Sequence, residues 1–339
     1  MDQQSPTKYL YIVGRGYSGS TIFSLLLGQS SAVENEGEIV FGFRPGFEGR
    51  RCVQRDLFMD CPFWAEVKRD FERRTDSAFA DAVTLLYRRA HFLFAIPNLL
   101  ASSRSAKVLE TKRLATALYD SISEASNRPV VLDASKEMAT AVFLLRHVDG
   151  VKFIHFVRNP FGVVDSYVKR IKRDQRFDMF RLHLRLERHY FIPIVISALV
   201  WTLQNLFWDL LRLLYPKKII RLRYEDLCDG PVALLEAVEQ FAGVSLAGSK
   251  AAATEKREMK LGHALQGNRT MWRGDLVFEP RKGLPQHLTS FDKAVIVLCT
   301  FPLMLAYGYL GWRIGKRGRI QSASDAEAPA VKPPKAPAS

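Results

Sequence analysis

The sequence predicts a three-layer α/β/α sandwich around a central, mostly parallel sheet, capped by helical lid segments. Short runs of Val, Ile, Leu and Tyr recur at Tyr9–Val13, Pro129–Leu132, Val151–Val157 and Lys218–Leu222. They are apolar throughout, as strands buried on both faces are. Helix-period stretches separate them, at Ser20–Leu27, Lys136–His147, Gly162–Lys172 and Ala233–Ala242, the alternation that produces βαβ crossovers. With 339 residues, 47% of them hydrophobic, the chain can bury the core of one large domain.

Residues 1–312 read as that single domain, with helical insertions over about 62–104 and 176–215 long enough to form a lid. Residues 313–339 are basic at first and then Pro- and Ala-rich, a composition that cannot bury enough surface to order itself, so a disordered tail is expected. Two uncharged stretches, Phe191–Trp208 and Ala294–Trp312, reach membrane-span length. The first carries Pro193, Ser197, Thr202, Gln204 and Asn205, and the second is broken by Pro302 and two glycines. Both therefore read as core helices, with peripheral membrane contact through the C-terminal one as the alternative.

Lys and Arg total 49 against 35 for Asp and Glu, a net charge of +14 that points to an anionic partner. The basic run from Lys169 to Arg188 suits either a solvated helix face or an anion-binding surface. Four cysteines, at 52, 61, 228 and 299, contain no CxxC pair, which excludes a dense disulfide framework and a four-thiolate zinc site. The seven histidines form no HxxxH or His/Cys spacing, so no bound metal is expected. The polar start, Met1–Lys8, lacks the features of a secretory signal, and a cytoplasmic location is expected.

The strand YLYIV runs directly into Gly14-Arg15-Gly16-Tyr17-Ser18-Gly19-Ser20-Thr21 and then into the apolar IFSLLL. Backbone N–H groups at such a turn converge on an anion, aided by the helix dipole. Gly14, Gly19 and Thr21 match the spacing of a nucleotide P-loop, but Ser20 stands where its lysine would contact the outer phosphates. Arg15 offers a cation from another point of the turn, and a less charged donor than a nucleoside triphosphate fits better. A tight βα turn would need the same glycines.

A second anion site is readable at the end of Val151–Val157, where Arg158-Asn159-Pro160 precedes a helix carrying Ser166 and Arg170. Arg158 falls at the carboxyl edge of the sheet, where α/β proteins bind ligands, and together with Ser166 it suits a single phosphate. Pro160 starts a helix without orphaning a donor. The plainer reading is a surface arginine capping a turn.

The two half-sites together resemble the sulfotransferases that use 3′-phosphoadenosine 5′-phosphosulfate. The first turn is similar to their phosphosulfate loop, and FVRNPFGVVDSYVKR to their 3′-phosphate motif. The resemblance continues through VLDASK, the pair Trp201 and Asn205, RYEDLCDGP, His263 to Asn268 and Tyr307-Gly308-Tyr309. Cys52 and the CPFW at 61–64 resemble a Cys-containing insert of some bacterial members, so the bacterial and Golgi-type branch is nearest. The chain departs from the family at Tyr17, where an arginine is usual, and at Met271, with Arg15, Arg269 and Arg273 as candidate compensations.

What the resemblance implies is sulfuryl transfer to a hydroxyl acceptor, a carbohydrate or another small or polymeric metabolite, leaving 3′-phosphoadenosine 5′-phosphate. Cofactor contacts are expected from Gly14 through Thr21 and from Arg158, Ser166, Arg269 and Arg273. Glu38, in the run Glu34-Asn35-Glu36-Gly37-Glu38, is the expected base, with Glu36 and His263 as alternatives. Lys136 is expected to neutralise the transferring group, with Ser135 beside it. His263 and Asn268 suit substrate contact or loop structure. No metal and no nucleic acid are implied. The rival readings are a P-loop kinase or NTPase with Asp133 on Mg²⁺, and a non-catalytic protein that binds anionic glycan or a membrane.

Overall fold

The computed structural model describes residues 7–54, 56–173, 191–264, 276–279 and 285–310. Five parallel strands form one sheet: β1 (Tyr9–Val13), β2 (Val33–Asn35), β3 (Val130–Asp133), β4 (Val151–Val157) and β5 (Ile219–Arg223), in the spatial order β2-β3-β1-β4-β5. The four strands read from sequence are present within a residue of their expected ends. β2 was not expected, because VEN is three residues long and carries one apolar side chain.

Each residue of β1 is buried, and its alternation divides the core. Tyr9, Tyr11 and Val13 face one layer, with Trp64 and Phe71 of α3 (Pro62–Thr75), Phe79 of α4 (Phe79–Arg89), Leu118 of α6 (Ala106–Ser126) and Val142 of α7 (Met138–His147). Leu10 and Ile12 face the other, with Phe23 of α1 (Ser20–Leu27), Leu227 of α10 (Tyr224–Asp229), Leu234 of α11 (Pro231–Ala242) and Ala252 of α12 (Ala247–Glu255). Two-sided burial is why the strands read as continuous apolar runs.

Between β2 and α3 lies a short helical turn, α2 (Ile39–Gly42), and between α4 and α6 lies α5 (Ala95–Leu100). Beyond β4 come α8 (Pro160–Arg173) and α9 (Phe191–Leu214), and α13 (Ser290–Ala306) closes the described fold. α13 starts at a reciprocal cap in which Thr289 Oγ1 accepts the Asp292 N–H and the Asp292 carboxylate accepts the Thr289 N–H. Residues 174–190, within the second insertion, and the tail from 313 lie outside the described residues.

The two long apolar stretches are not core helices, which corrects the sequence reading. α9 is long and apolar enough to cross a membrane, yet a third (33%) of its apolar window is buried. It packs Trp201, Asn205 and Trp208 inward and leaves Leu203 at 65% and Leu210 at 52% exposure, while α13 leaves Leu298 at 82%. Each is amphipathic, a helix with one packed face and one bare apolar face.

Where α9 crosses the sheet, its polar residues are used inside. The His155 ring, fully buried on β4, lies 2.8 Å through Nε2 from Asn205 Oδ1, and the Asn205 amide donates to the Trp201 carbonyl (2.8 Å). Burial lowers the His155 pKa to about 4, so the ring is neutral and donates from Nε2. Asn205→Leu is expected to strand that donor and cost about 1–3 kcal/mol. This would be read as a lower urea midpoint at unchanged slope, and an unmoved midpoint would show that the pair adds nothing.

Candidate functional site

The carboxyl ends of the five parallel strands lie on one edge, and the residues singled out from sequence follow those ends. β1 feeds the glycine turn, β2 leads to Glu38, β3 to Ser135 and Lys136, β4 to Arg158, and β5 to Tyr224. Central β1 is flanked by β3 and β4, a switch in chain order of the kind that opens a ligand crevice in α/β sheets.

The turn is shaped by two glycines that no other residue could replace. Gly14 has φ 134°, and a Cβ there would sit 2.5 Å from the Phe156 carbonyl oxygen of β4. Gly19, at φ 86°, caps α1, and a Cβ there would enter the Tyr224 ring at 2.4 Å. Tyr17 is also left-handed, at φ 70°, a strained state for a tyrosine of the kind stored at functional sites. Ser18 is 1% exposed, and among the described residues neither its hydroxyl nor the buried Arg15 Nε has a partner. Orphaned polar atoms inside a glycine turn at a helix start fit a bound oxyanion. Burial also lowers the Arg15 pKa.

Arg158 bridges this turn to the second half-site. Its Nη1 donates to the Tyr17 carbonyl (3.1 Å), and its guanidinium lies 4.5 Å from the centre of the Tyr224 ring. The Trp201 indole donates to the Arg158 carbonyl (3.0 Å), fixing the backbone. Ser166 donates to the Gly162 carbonyl (2.8 Å), and Gly162 is so close to Arg158 that a Cβ there would lie 2.9 Å from Nε. Arg158 and Ser166 thus meet across Gly162. Arg170 reaches the same turn, donating to the Tyr17 hydroxyl (3.0 Å).

Tyr224 and Glu225 were missed as site residues, although RYEDLCDGP was noted as part of the resemblance. Tyr224 stands between Gly19 and Arg158, and Glu225 accepts the Asn159 N–H and the Tyr309 hydroxyl (both 3.0 Å), locking the Arg158-Asn159-Pro160 corner. The signal available was their position directly after β5, at the same sheet edge.

On the other side of β1, Glu38 and Lys136 form an ion pair at 2.9 Å, with side chains 23% and 15% exposed. Lys136 also donates to the Ala134 carbonyl (2.9 Å) and has φ 60°, the left-handed region. The Ser135 hydroxyl is turned to the Val40 N–H (3.1 Å), so it supports the backbone after Glu38. Nearby, burial raises Asp133 to about 6 and Glu137 to about 7.

The alternatives to Glu38 are placed differently. Glu36 is 1% exposed; burial first, and then its hydrogen bond with Glu34, push its pKa well above the usual carboxylate range. Glu34 is paired with Arg128 at 3.1 Å. Glu36 accepts the His263 N–H (3.2 Å), and the His263 ring stacks on Phe63 with centroids 4.7 Å apart. Asn268, Arg269 and Arg273 lie outside the described residues.

A cavity of about 380 Å³ lies among α2, α4, α5, α6 and α7. Its walls include Val40, in the helical turn after Glu38, and Thr140, one turn beyond Lys136, with Phe43, Leu86, Phe94 and Phe143.

The sequence matches the family described as the sulfotransferase family over residues 10–248. No curated protein sequence matches it. Among solved structures it is similar to the sulfotransferase domain of the curacin biosynthetic pathway, at 17% identity and a TM-score of 0.45, over 87% of this chain and 98% of that one. It is also similar to a sulfotransferase of Mycobacterium avium, at 13% identity and a TM-score of 0.47, over 93% and 79% of the two chains. Because the family match runs from Leu10 in β1 to Gly248 in α12, the five strands that position these residues lie inside it but for Tyr9, and the chain belongs to the sulfotransferase family, as an enzyme that transfers a sulfuryl group to an acceptor.

Proposed function

We propose that the sulfuryl donor is 3′-phosphoadenosine 5′-phosphosulfate, with the 5′-phosphosulfate on the Gly14–Thr21 turn and the 3′-phosphate on Arg158 and Ser166. The observation that carries this reading is the Arg158 to Tyr17 contact at 3.1 Å, which ties two separate anion sites on adjacent strands into one crevice. A donor with two anionic groups set apart on one nucleoside matches that layout. A triphosphate reading is disfavoured by Ser20 in the lysine position. Asp133 also argues against it: fully buried, it accepts the Ser135 N–H and the Tyr119 hydroxyl (both 2.7 Å), which leaves it unsuited to Mg²⁺.

Within this reading Glu38 takes the acceptor's proton, being more exposed than Glu36 and not committed to a ring stack as His263 is. Lys136 holds the carboxylate in place and presents a fixed cation where charge builds on the departing oxygen.

The cavity favours an acceptor whose hydroxyl is carried on an apolar body. Its volume is that of a small-ligand site, and its walls are mainly aromatic and aliphatic, with Tyr87, Asn98, Ser105 and Thr140 among the polar side chains between them.

Three outcomes are expected. In calorimetry, 3′-phosphoadenosine 5′-phosphate binds in preference to ATP with Mg²⁺, and Arg158→Ala abolishes that binding; tighter Mg²⁺-dependent ATP binding would sink the donor assignment. Glu38→Gln keeps the product nucleotide's affinity while turnover falls on the order of a hundredfold, and unchanged turnover would remove Glu38 from the chemistry. Across a series of linear alcohols, kcat/KM rises roughly fourfold per added methylene until the cavity is full, as burial at about 0.8 kcal/mol per CH₂ requires; a flat series, or monosaccharides outrunning alcohols, would exclude the apolar acceptor.

A further inference from the structure

We propose that Cys52, Cys61 and His263 bind one zinc ion as a structural clamp. No sequence spacing announces this group, since the residues are separated by eight and then by two hundred positions, but the fold gathers them. Their ligand atoms all lie within 4.8 Å of one another, and Cys61 Sγ is 3.4 Å from His263 Nδ1. Around a tetrahedral zinc, sulfur and nitrogen ligands stand about 3.5–3.8 Å apart, as bonds of about 2.3 Å and 2.0–2.1 Å dictate. The three atoms need close by about an ångström at most to share an ion.

The donor set and its surroundings suit zinc. Two cysteine sulfurs and an imidazole form a borderline-soft donor set of the kind zinc takes. Both cysteines are fully buried. Cys61 is the N-cap of α3 and makes no side-chain capping bond that would compete with a metal. Zinc binding releases the two thiol protons, so affinity rises with pH.

The surrounding bonds show what the clamp holds. The turn at Cys52 is joined to the last segment by the Val53 N–H to the Ala264 carbonyl (2.9 Å). The Trp64 indole of α3 donates to the His263 carbonyl (2.7 Å), and the His263 N–H donates to Glu36 (3.2 Å). One ion would therefore fasten α3 and the 261–264 segment beneath the loop that carries Glu38. The role is positional, and no step of sulfuryl transfer passes through the metal.

The test uses the full chain, purified with reductant and then stripped with chelator. Adding Zn²⁺ is expected to give one ion per chain by elemental analysis and a melting temperature that rises with Zn²⁺ concentration. Adding Co²⁺ is expected to give the visible bands of a tetrahedral site with a thiolate charge-transfer band. Cys52→Ser and His263→Ala, each checked for folding by circular dichroism, are expected to weaken Zn²⁺ binding by at least about a hundredfold, while Cys228→Ser leaves it unchanged. The proposal is overturned if the reduced chain takes up no Zn²⁺ at micromolar concentration, if the folded variants bind it as tightly as the parent, or if peptide mapping of the unreduced protein finds Cys52 and Cys61 joined as a disulfide.

Discussion

The site depends on an arginine held in place without a carboxylate. Among the described residues Arg158 is fixed by a carbonyl, an aromatic face and the close backbone of Gly162. None of these neutralises it. A guanidinium oriented by neutral groups keeps its charge for a ligand, whereas one paired to Asp or Glu would have to break that pair first. The carboxylate that follows β5 at the same sheet edge, Glu225, is turned to the Asn159 N–H and the Tyr309 hydroxyl instead. The glycine turn, the start of α8 and the beginning of α10 are all arranged around that one side chain.

The same logic governs the carboxylates on the other side of β1. Free negative charge would disfavour the anionic donor proposed for this crevice, yet the segment from Glu34 to Glu38 is acidic and Asp133 and Glu137 lie close by in sequence to Lys136. Each is dealt with separately. Glu34 is paired with Arg128, Glu36 is driven toward its neutral form by burial and by Glu34, Asp133 accepts the Ser135 N–H and the Tyr119 hydroxyl, burial raises Glu137 to about 7, and Glu38 is matched by Lys136. For Glu36 and Glu137 desolvation acts without adding any cation that would compete for the ligand.

The anion half of the site was legible because its chemistry is written in neighbouring residues. A strand, a glycine turn and a helix occupy one stretch, and Arg158 and Ser166 occupy one helix turn and its approach. The pairing of Glu38 with Lys136 was legible only as two residues at strand ends, since the 98 positions between them carry no spacing rule. β2 escaped notice because VEN has too few apolar residues to signal a strand and is held by its neighbour β3. α9 misled because composition cannot separate a helix buried all round from one with a bare apolar face; Ile196, Leu199, Leu203, Leu206 and Leu210 line that face at helical spacing. The Cys52, Cys61 and His263 group was illegible because its members lie far apart in the chain and meet only in the fold.

Glu38 itself is positioned less by its own element than by the strand beside it. β2 is only three residues long, and α2 only four, too little structure by themselves to hold Glu38 within the tolerance that the proposed proton transfer demands. The continuation of β3 supplies what is missing. The Ala134 N–H bonds the Gly37 carbonyl (2.7 Å) just before Glu38, the Ser135 hydroxyl accepts the Val40 N–H (3.1 Å) just after it, and Lys136 grips the carboxylate at 2.9 Å. Three consecutive residues of one strand end thus fix the backbone on both sides of Glu38 and its side chain as well. Ser135 therefore belongs with Lys136 as a positioning residue. The left-handed backbone of Lys136, unfavourable for a lysine, is the conformation that turns the ammonium back toward Glu38 while the chain goes on into α7.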